Sequence, residues 1–237
     1  MTAANRWLHE LREMFRLPLL LLYAGVWLVL ILMNPVGPGN YSVMAGLSLE
    51  NGIDLLGLSQ WLLMIATPLI SIGFYTVRQV SIAVITVTRL GSTRAWVMRR
   101  VAMMLQNSIV YVALGYILML LIQGQADAWS ALAVLGHLCF LSMILMLIFV
   151  LKQNTAMSIL IVLLGEGISY IVSQTEGTLN ILLPGNWGMI LRSDIYNPLR
   201  GFPFEIIMVI QIVSICGMVI WLVKTAVKKE IYMLRRI

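Results

Sequence analysis

The sequence predicts an all-α integral membrane protein with six transmembrane helices, an N-terminal interfacial amphipathic helix, and both termini in the cytoplasm. Hydrophobic residues make up 60% of the chain and charged residues only 11%, well below the roughly 25% charged residues of soluble domains. The apolar residues form continuous runs of about the 20 residues that cross a bilayer as a helix. Since strands of a membrane barrel alternate apolar and polar residues, continuous runs favour helices.

Six apolar runs indicate a single transmembrane domain over residues 1–237. Each run is long enough to cross about 30 Å of hydrocarbon at a rise of about 1.5 Å per residue. The first run is followed by Asn34, Pro35 and further Pro and Gly residues rather than by a signal-peptidase site, so we expect it to remain as a span. The predicted spans are residues 17–33, 58–77, 101–122, 130–151, 154–172 and 204–223.

The distribution of basic residues predicts the orientation. With the N-terminus inside, only Arg192 and Arg200 of the 16 Lys and Arg residues lie outside, as the retention of basic loops in the cytoplasm requires. The opposite orientation would reverse this bias. The net charge of +6 is then explained by orientation and by contact with anionic lipid, and no nucleic-acid partner is expected.

Three connections have distinct patterns. Residues 6–16 alternate apolar and charged side chains at helical spacing, which is typical of an interfacial helix or of a polar end of the first span. The external connection 34–57 is rich in Gly and Pro, so we expect it to be irregular or to hold one short helix. The external connection 173–203 keeps apolar residues beside Trp187 and Tyr196, which predicts one or two short helices that dip back toward the membrane.

The cytoplasmic connection 78–100, which we call the elbow, is both basic and hydrophobic. Residues 80–88 are rich in β-branched side chains, but an isolated strand has no sheet to join, so a helical extension of the second span is preferred. Gly91 allows a change of chain direction and Ser92 is a suitable N-cap for the third span. An elbow that lies on the inner leaflet is the alternative to one that docks on a partner.

The sequence contains no motif of a known catalytic site. It lacks a zinc-protease His-Glu-x-x-His, a hydrolase Gly-x-Ser-x-Gly and an ATP-binding P-loop. Cys139 and Cys216 both lie in apolar runs, which argues against disulfides or a thiolate metal site. We therefore predict no enzyme activity, no catalytic residue, no metal and no cofactor on this chain.

Two ionisable residues inside spans are candidates for a transport path. Glu166 stands alone near the middle of the fifth span, where an ionised carboxylate costs several kcal/mol unless it is paired, hydrated or protonated. It either lines a path or makes a structural hydrogen bond inside the bundle. His137 stands alone in the fourth span, nearer the outer leaflet, with the same two interpretations.

The layout resembles the permease subunits of type-2 ATP-binding cassette exporters. In that family an interfacial helix precedes six spans, a cytoplasmic coupling helix between the second and third spans docks on an ATPase, and short helices re-enter between the fifth and sixth. Residues 6–16, 78–100 and 183–203 match these parts in order. The run from Arg89 to Trp96 is similar to the Arg-x-Gly-Ser-x-x-x-Trp stretch of small bacterial members used in peptide export or bacteriocin immunity.

The resemblance implies a permease of the bacterial plasma membrane that exports a hydrophobic or amphipathic cargo, such as a peptide. It implies a second permease copy or a related permease, and separate ATPase subunits that bind ATP and Mg. The residues that would couple to the ATPase are Arg78, Arg89, Gly91, Ser92, Arg94 and Trp96. An ion-coupled secondary carrier and a non-transporting scaffold or immunity protein remain alternatives, although a carrier usually needs several intramembrane ion ligands and often shows repeats.

Overall fold

The computed structural model describes residues 15–34, 42–48, 53–81, 93–152, 154–175 and 177–234, and this part of the chain is a helical bundle. Its α-helices are α1 Leu17–Met33, α2 Leu55–Ser81, α3 Thr93–Gln123, α4 Ala128–Lys152, α5 Thr155–Thr175 and α6 Phe204–Leu234. Short 3₁₀ helices occupy Val43–Ala45, Gly177–Ile181, Pro184–Asn186 and Ile190–Arg192. The last three confirm that the connection between α5 and α6 contains short helices.

The predicted helical membrane fold is confirmed. Helices α2 to α6 are each long and apolar enough to cross a membrane, and α1 is a shorter apolar helix of 17 residues. At about 1.5 Å per residue α1 is about 25 Å long, at the lower limit for a span. Its bounds coincide with the first predicted run. A sixth span and the cytoplasmic position of the termini stay predictions.

Several predicted features fall where the structure gives no description. The amphipathic helix proposed for residues 6–16 lies almost wholly outside the described residues, as do Arg89, Gly91 and Ser92. Arg78 lies within α2, but its side chain is outside the description. The predicted extension of the second span is confirmed as far as Ser81, where α2 ends.

The helices run up and down, so the bundle has two ends. We call the end where α2 finishes and α3 begins the elbow end, and the end that carries residues 42–48 and 177–203 the loop end. Helix α4 is central, in contact with α2, α3, α5 and α6, and it is the most buried of the candidate spans. Since α4 is apolar on all sides, this position follows from its sequence.

Helix α1 packs on α2 and α3 through large aromatic side chains. The Trp27 indole lies against Gly115 of α3, where a Cβ would collide with the ring. Its Nε1 donates to the Tyr111 carbonyl oxygen at 3.0 Å, and the Tyr23 hydroxyl donates to Asn107 Oδ1 at 2.8 Å. Such bonds satisfy polar groups in an apolar environment and fix the position of α1.

Candidate functional site

The centre of the bundle holds a buried ionisable pair. His137 of α4 and Glu166 of α5 are 0% and 2% exposed, and Nε2 of the histidine lies 3.0 Å from Oε2 of the carboxylate. Each residue stands alone in its own span, and the two meet across the interface between α4 and α5. Helices α4 and α5 are consecutive and antiparallel, so positions far apart in sequence meet across their interface.

The two residues also lie at the same level. His137 is nine residues after Ala128, where α4 begins, and Glu166 is nine residues before Thr175, where α5 ends. Both are thus about 14 Å along their helices from the loop end, at about 1.5 Å per residue. The position of His137 nearer the outer leaflet stays a prediction.

Trp61 of α2 completes this site, which we call the His–Glu site. Its indole Nε1 donates to the same Oε2 of Glu166 at 3.3 Å. Its ring stacks on the imidazole of His137, with ring centroids 6.3 Å apart and an interplanar angle of 29°. His137 Nδ1 is buried and has no hydrogen-bond partner among the described residues. Oε2 of Glu166 is therefore in contact with two polar nitrogens from two different helices.

The segment 184–188 closes the loop end of the His–Glu site. A Cβ built on Gly188 would lie 2.6 Å from Cδ2 of His137, and one on Gly185 would lie 2.7 Å from Cβ of Ser169 and 3.1 Å from Cα of Glu166. Only glycine leaves room for this approach. The connection between α5 and α6 thus returns to the depth of the His–Glu site, as its apolar sequence predicts.

Arg192 anchors this connection although the sequence places it in an external loop. It is fully buried, and its Nε donates to the Leu47 carbonyl oxygen at 2.9 Å. Its Nη1 donates to Asn186 Oδ1 at 2.9 Å and to the Ser173 hydroxyl, while the guanidinium lies 4.8 Å from the ring centroid of Tyr170. Burial lowers the pKa of Arg192 to about 10, so the side chain stays charged at neutral pH.

Asp127 forms a second tie at the loop end. It accepts hydrogen bonds from the Ser130 backbone N–H at 3.0 Å and from the Tyr196 hydroxyl at 3.0 Å, linking the start of α4 to the connection between α5 and α6. Partial burial raises the pKa of Asp127, but the hydrogen bonds from Ser130, Trp129 and Tyr196 outweigh it, and the net effect is a lowered pKa. The aspartate is also a typical N-cap for α4.

At the elbow end, the predicted coupling residues Arg94 and Trp96 lie in the first turn of α3. Arg94 is exposed, whereas Trp96 is half-buried against the bundle core. Arg100, one turn further on, is 2% exposed. Its Nη1 donates to the Tyr75 hydroxyl of α2 at 2.6 Å, and its guanidinium lies 5.4 Å and 5.8 Å from the ring centroids of Tyr75 and Trp96.

Sequence reasoning missed the residues that surround its two candidates. Trp61 and Arg192 gave no signal beyond their residue type, because only the packing of distant segments shows their roles. The Gly-Asn-Trp-Gly spacing of Gly185 and Gly188 was the one usable signal, since two glycines one turn apart indicate a close approach. Among the described residues, no group of three or more His, Cys, Asp or Glu could hold a metal ion.

Similarity to known proteins places this chain in no family. No protein-family model, no curated protein and no solved structure matches it. Its function must therefore be argued from the residues and contacts described above.

Proposed function

We propose that the chain is the membrane-spanning permease subunit of an ATP-driven exporter. Two permease copies, or one copy and a related permease, enclose a path for a hydrophobic or amphipathic cargo such as a peptide. Separate ATPase subunits bind ATP and Mg and dock on the elbow. The chain lies in the bacterial plasma membrane, in contact with lipid, and has no nucleic-acid partner.

The observation that carries this proposal is the length of α2 and α3. They contain 27 and 31 residues, or about 40 Å and 46 Å at about 1.5 Å per residue. Both exceed the hydrocarbon core of about 30 Å. Helix α2 continues past residue 77, the predicted end of its span, through Arg78 to Ser81. Paired helices that project beyond the apolar layer on the arginine-rich side suit a docking surface for a soluble subunit.

The contacts of Arg100 support rigid transmission from the elbow to the bundle. Arg100 belongs to α3, bonds to Tyr75 of α2 and stacks near Trp96. A push on the elbow would therefore move the ends of α2 and α3 together rather than bend each helix separately, as rigid-body coupling requires. Trp96 serves this proposal as an inward-facing support, whereas Arg94 is exposed and suited to contact an ATPase.

Copurification tests the proposal. The tagged wild-type chain should retain an ATPase subunit after mild solubilisation, and Arg94→Glu should weaken that association because it reverses a charge at the docking surface. Lys152→Glu is the matched control, since Lys152 is exposed at the end of α4, outside the elbow. Normal ATPase retention and transport in Arg94→Glu would remove Arg94 from the docking surface. A wild-type chain that retains no ATPase would favour the scaffold alternative.

The His–Glu site favours a second candidate, an ion-coupled secondary carrier. A histidine and a glutamate in contact inside a bundle are typical of proton pathways in transporters. Reconstituted vesicles separate the two candidates. Transport by the purified chain alone that collapses with a protonophore would favour the carrier, whereas transport that needs an added ATPase and ATP would favour the exporter.

A further inference from the structure

We propose that His137 and Glu166 form a proton-binding site whose occupancy controls whether the segment 184–188 stays seated on it. The site holds one proton while the segment is seated and releases it to water when the segment lifts. This inference concerns the chain alone and does not depend on an ATPase subunit or on any cargo.

The argument begins with the charge of the pair. With one proton shared, the pair is either imidazolium with carboxylate or neutral imidazole with carboxylic acid, and its net charge is zero. Release of that proton to water leaves a neutral imidazole beside a carboxylate and a net charge of −1. Since both side chains are nearly fully buried, the charged state is strongly disfavoured while the site is dry.

The surroundings supply little to balance that charge. Trp61 contributes one neutral N–H, and the helix face of α5 next contributes Tyr170, one turn toward the loop end. The connection between α5 and α6 contributes Arg192, which faces Tyr170, Asn186 and Ser173. The guanidinium is thus engaged with residues other than Glu166, one turn away from the carboxylate.

The segment 184–188 is the element that keeps water out. Gly188 covers His137 and Gly185 covers the backbone of Glu166. When the segment lifts, water reaches the carboxylate and the charged state becomes acceptable. Proton release and segment opening are therefore linked, and each favours the other.

Hydrogen exchange of the segment measures this linkage. The backbone N–H groups of Asn186, Trp187 and Met189 donate to Leu183, Pro184 and Asn186, respectively, so their exchange reports opening. The measured exchange rate of these N–H groups, divided by their intrinsic exchange rate, gives the opening ratio of the segment. For the full-length wild type in nanodiscs, this ratio should rise about tenfold per pH unit, the slope for one released proton.

Two variants test whether Glu166 is the group that makes segment opening depend on pH. Glu166→Gln keeps the shape and an acceptor oxygen but cannot ionise, so the segment should stay protected and its opening ratio should no longer rise with pH. Glu205→Gln is the matched control, because Glu205 is an exposed carboxylate in the first turn of α6, and it should behave like the wild type. Should Glu166→Gln fail to fold, a pH-difference infrared spectrum of the wild type must show one carboxyl or imidazole group losing a proton in step with exchange.

Three results would overturn the proposal. A pH-independent opening ratio in the wild type would show that no proton is released on opening. An unchanged pH dependence in Glu166→Gln would assign the proton to another group. Protection restored at alkaline pH by sodium ions, with potassium as the reference salt, would show that the site binds a metal cation rather than a proton.

Discussion

Replacement of Glu166 by leucine tests whether the carboxylate organises the bundle. The change removes the partner of His137 Nε2 and the acceptor for Trp61 Nε1, and both atoms stay buried. Each unsatisfied polar group costs about 1–3 kcal/mol, so the free energy of unfolding should fall by about 2–6 kcal/mol. Glu166→Gln retains an acceptor oxygen and should lose about 1 kcal/mol or less.

The free energies can be compared by equilibrium unfolding of the variants in the same lipid environment. Glu205→Leu is the control for loss of a carboxylate alone. It should lower the free energy of unfolding by only about 0.3–1 kcal/mol, the contribution of an exposed acidic residue at a helix N-terminus. If Glu166→Leu is as stable as Glu205→Leu, the hydrogen bonds across α2, α4 and α5 do not stabilise the bundle.

Three further predictions concern the loop end and the orientation. Arg192→Leu should cost about 1–3 kcal/mol, because it leaves buried acceptors unpaired, and it should speed proteolysis within 177–203; unchanged proteolysis would refute the anchoring role. Asp127→Asn should lower the free energy of unfolding at neutral pH, because a carboxylate with a lowered pKa stabilises the fold only while ionised. The difference in unfolding free energy from wild type should vanish as pH falls through the lowered pKa of Asp127. After the native cysteines are removed, Leu199→Cys, at a position 96% exposed, should label from outside the cell and Lys152→Cys should not; the reverse would invert the predicted topology.

The helices were predictable because hydrophobic length alone determines them. The bounds of α1 follow from a run that starts after Arg16 and stops before Asn34 and Pro35, where charge and proline end an apolar helix. Helices α2, α3 and α6 extend beyond the predicted spans, since a helix continues into polar sequence once its apolar part is anchored; the extension of the second span and a helix start after Ser92 were predicted. The hydropathy of a helix indicates which part of it contacts lipid, whereas backbone hydrogen bonding determines where the helix ends.

The candidate site was predictable only in part. Glu166 and His137 could be singled out because ionisable side chains are costly inside a span, but their pairing depends on the register between α4 and α5, which no local pattern encodes. Arg192 was assigned to an external loop by its position between the fifth and sixth predicted spans. Its burial requires Leu47, Ser173 and Asn186 to meet around it, and such long-range contacts have no sequence period.

The position of Arg192 and the segment 184–188 near the C-terminal end has a consequence for biogenesis. The partners of the Arg192 side chain and the residues that the segment 184–188 covers, including Leu47, His137 and Glu166, precede this region in the chain. During synthesis the ribosome therefore releases α1 to α5 before the residues that will cover the His–Glu site exist. A nascent chain that stops after α5 leaves that site open to water, and a charged arginine must be withdrawn from solvent as the region seats. Seating of this region is thus a late, post-insertion step, after which the loop end is complete.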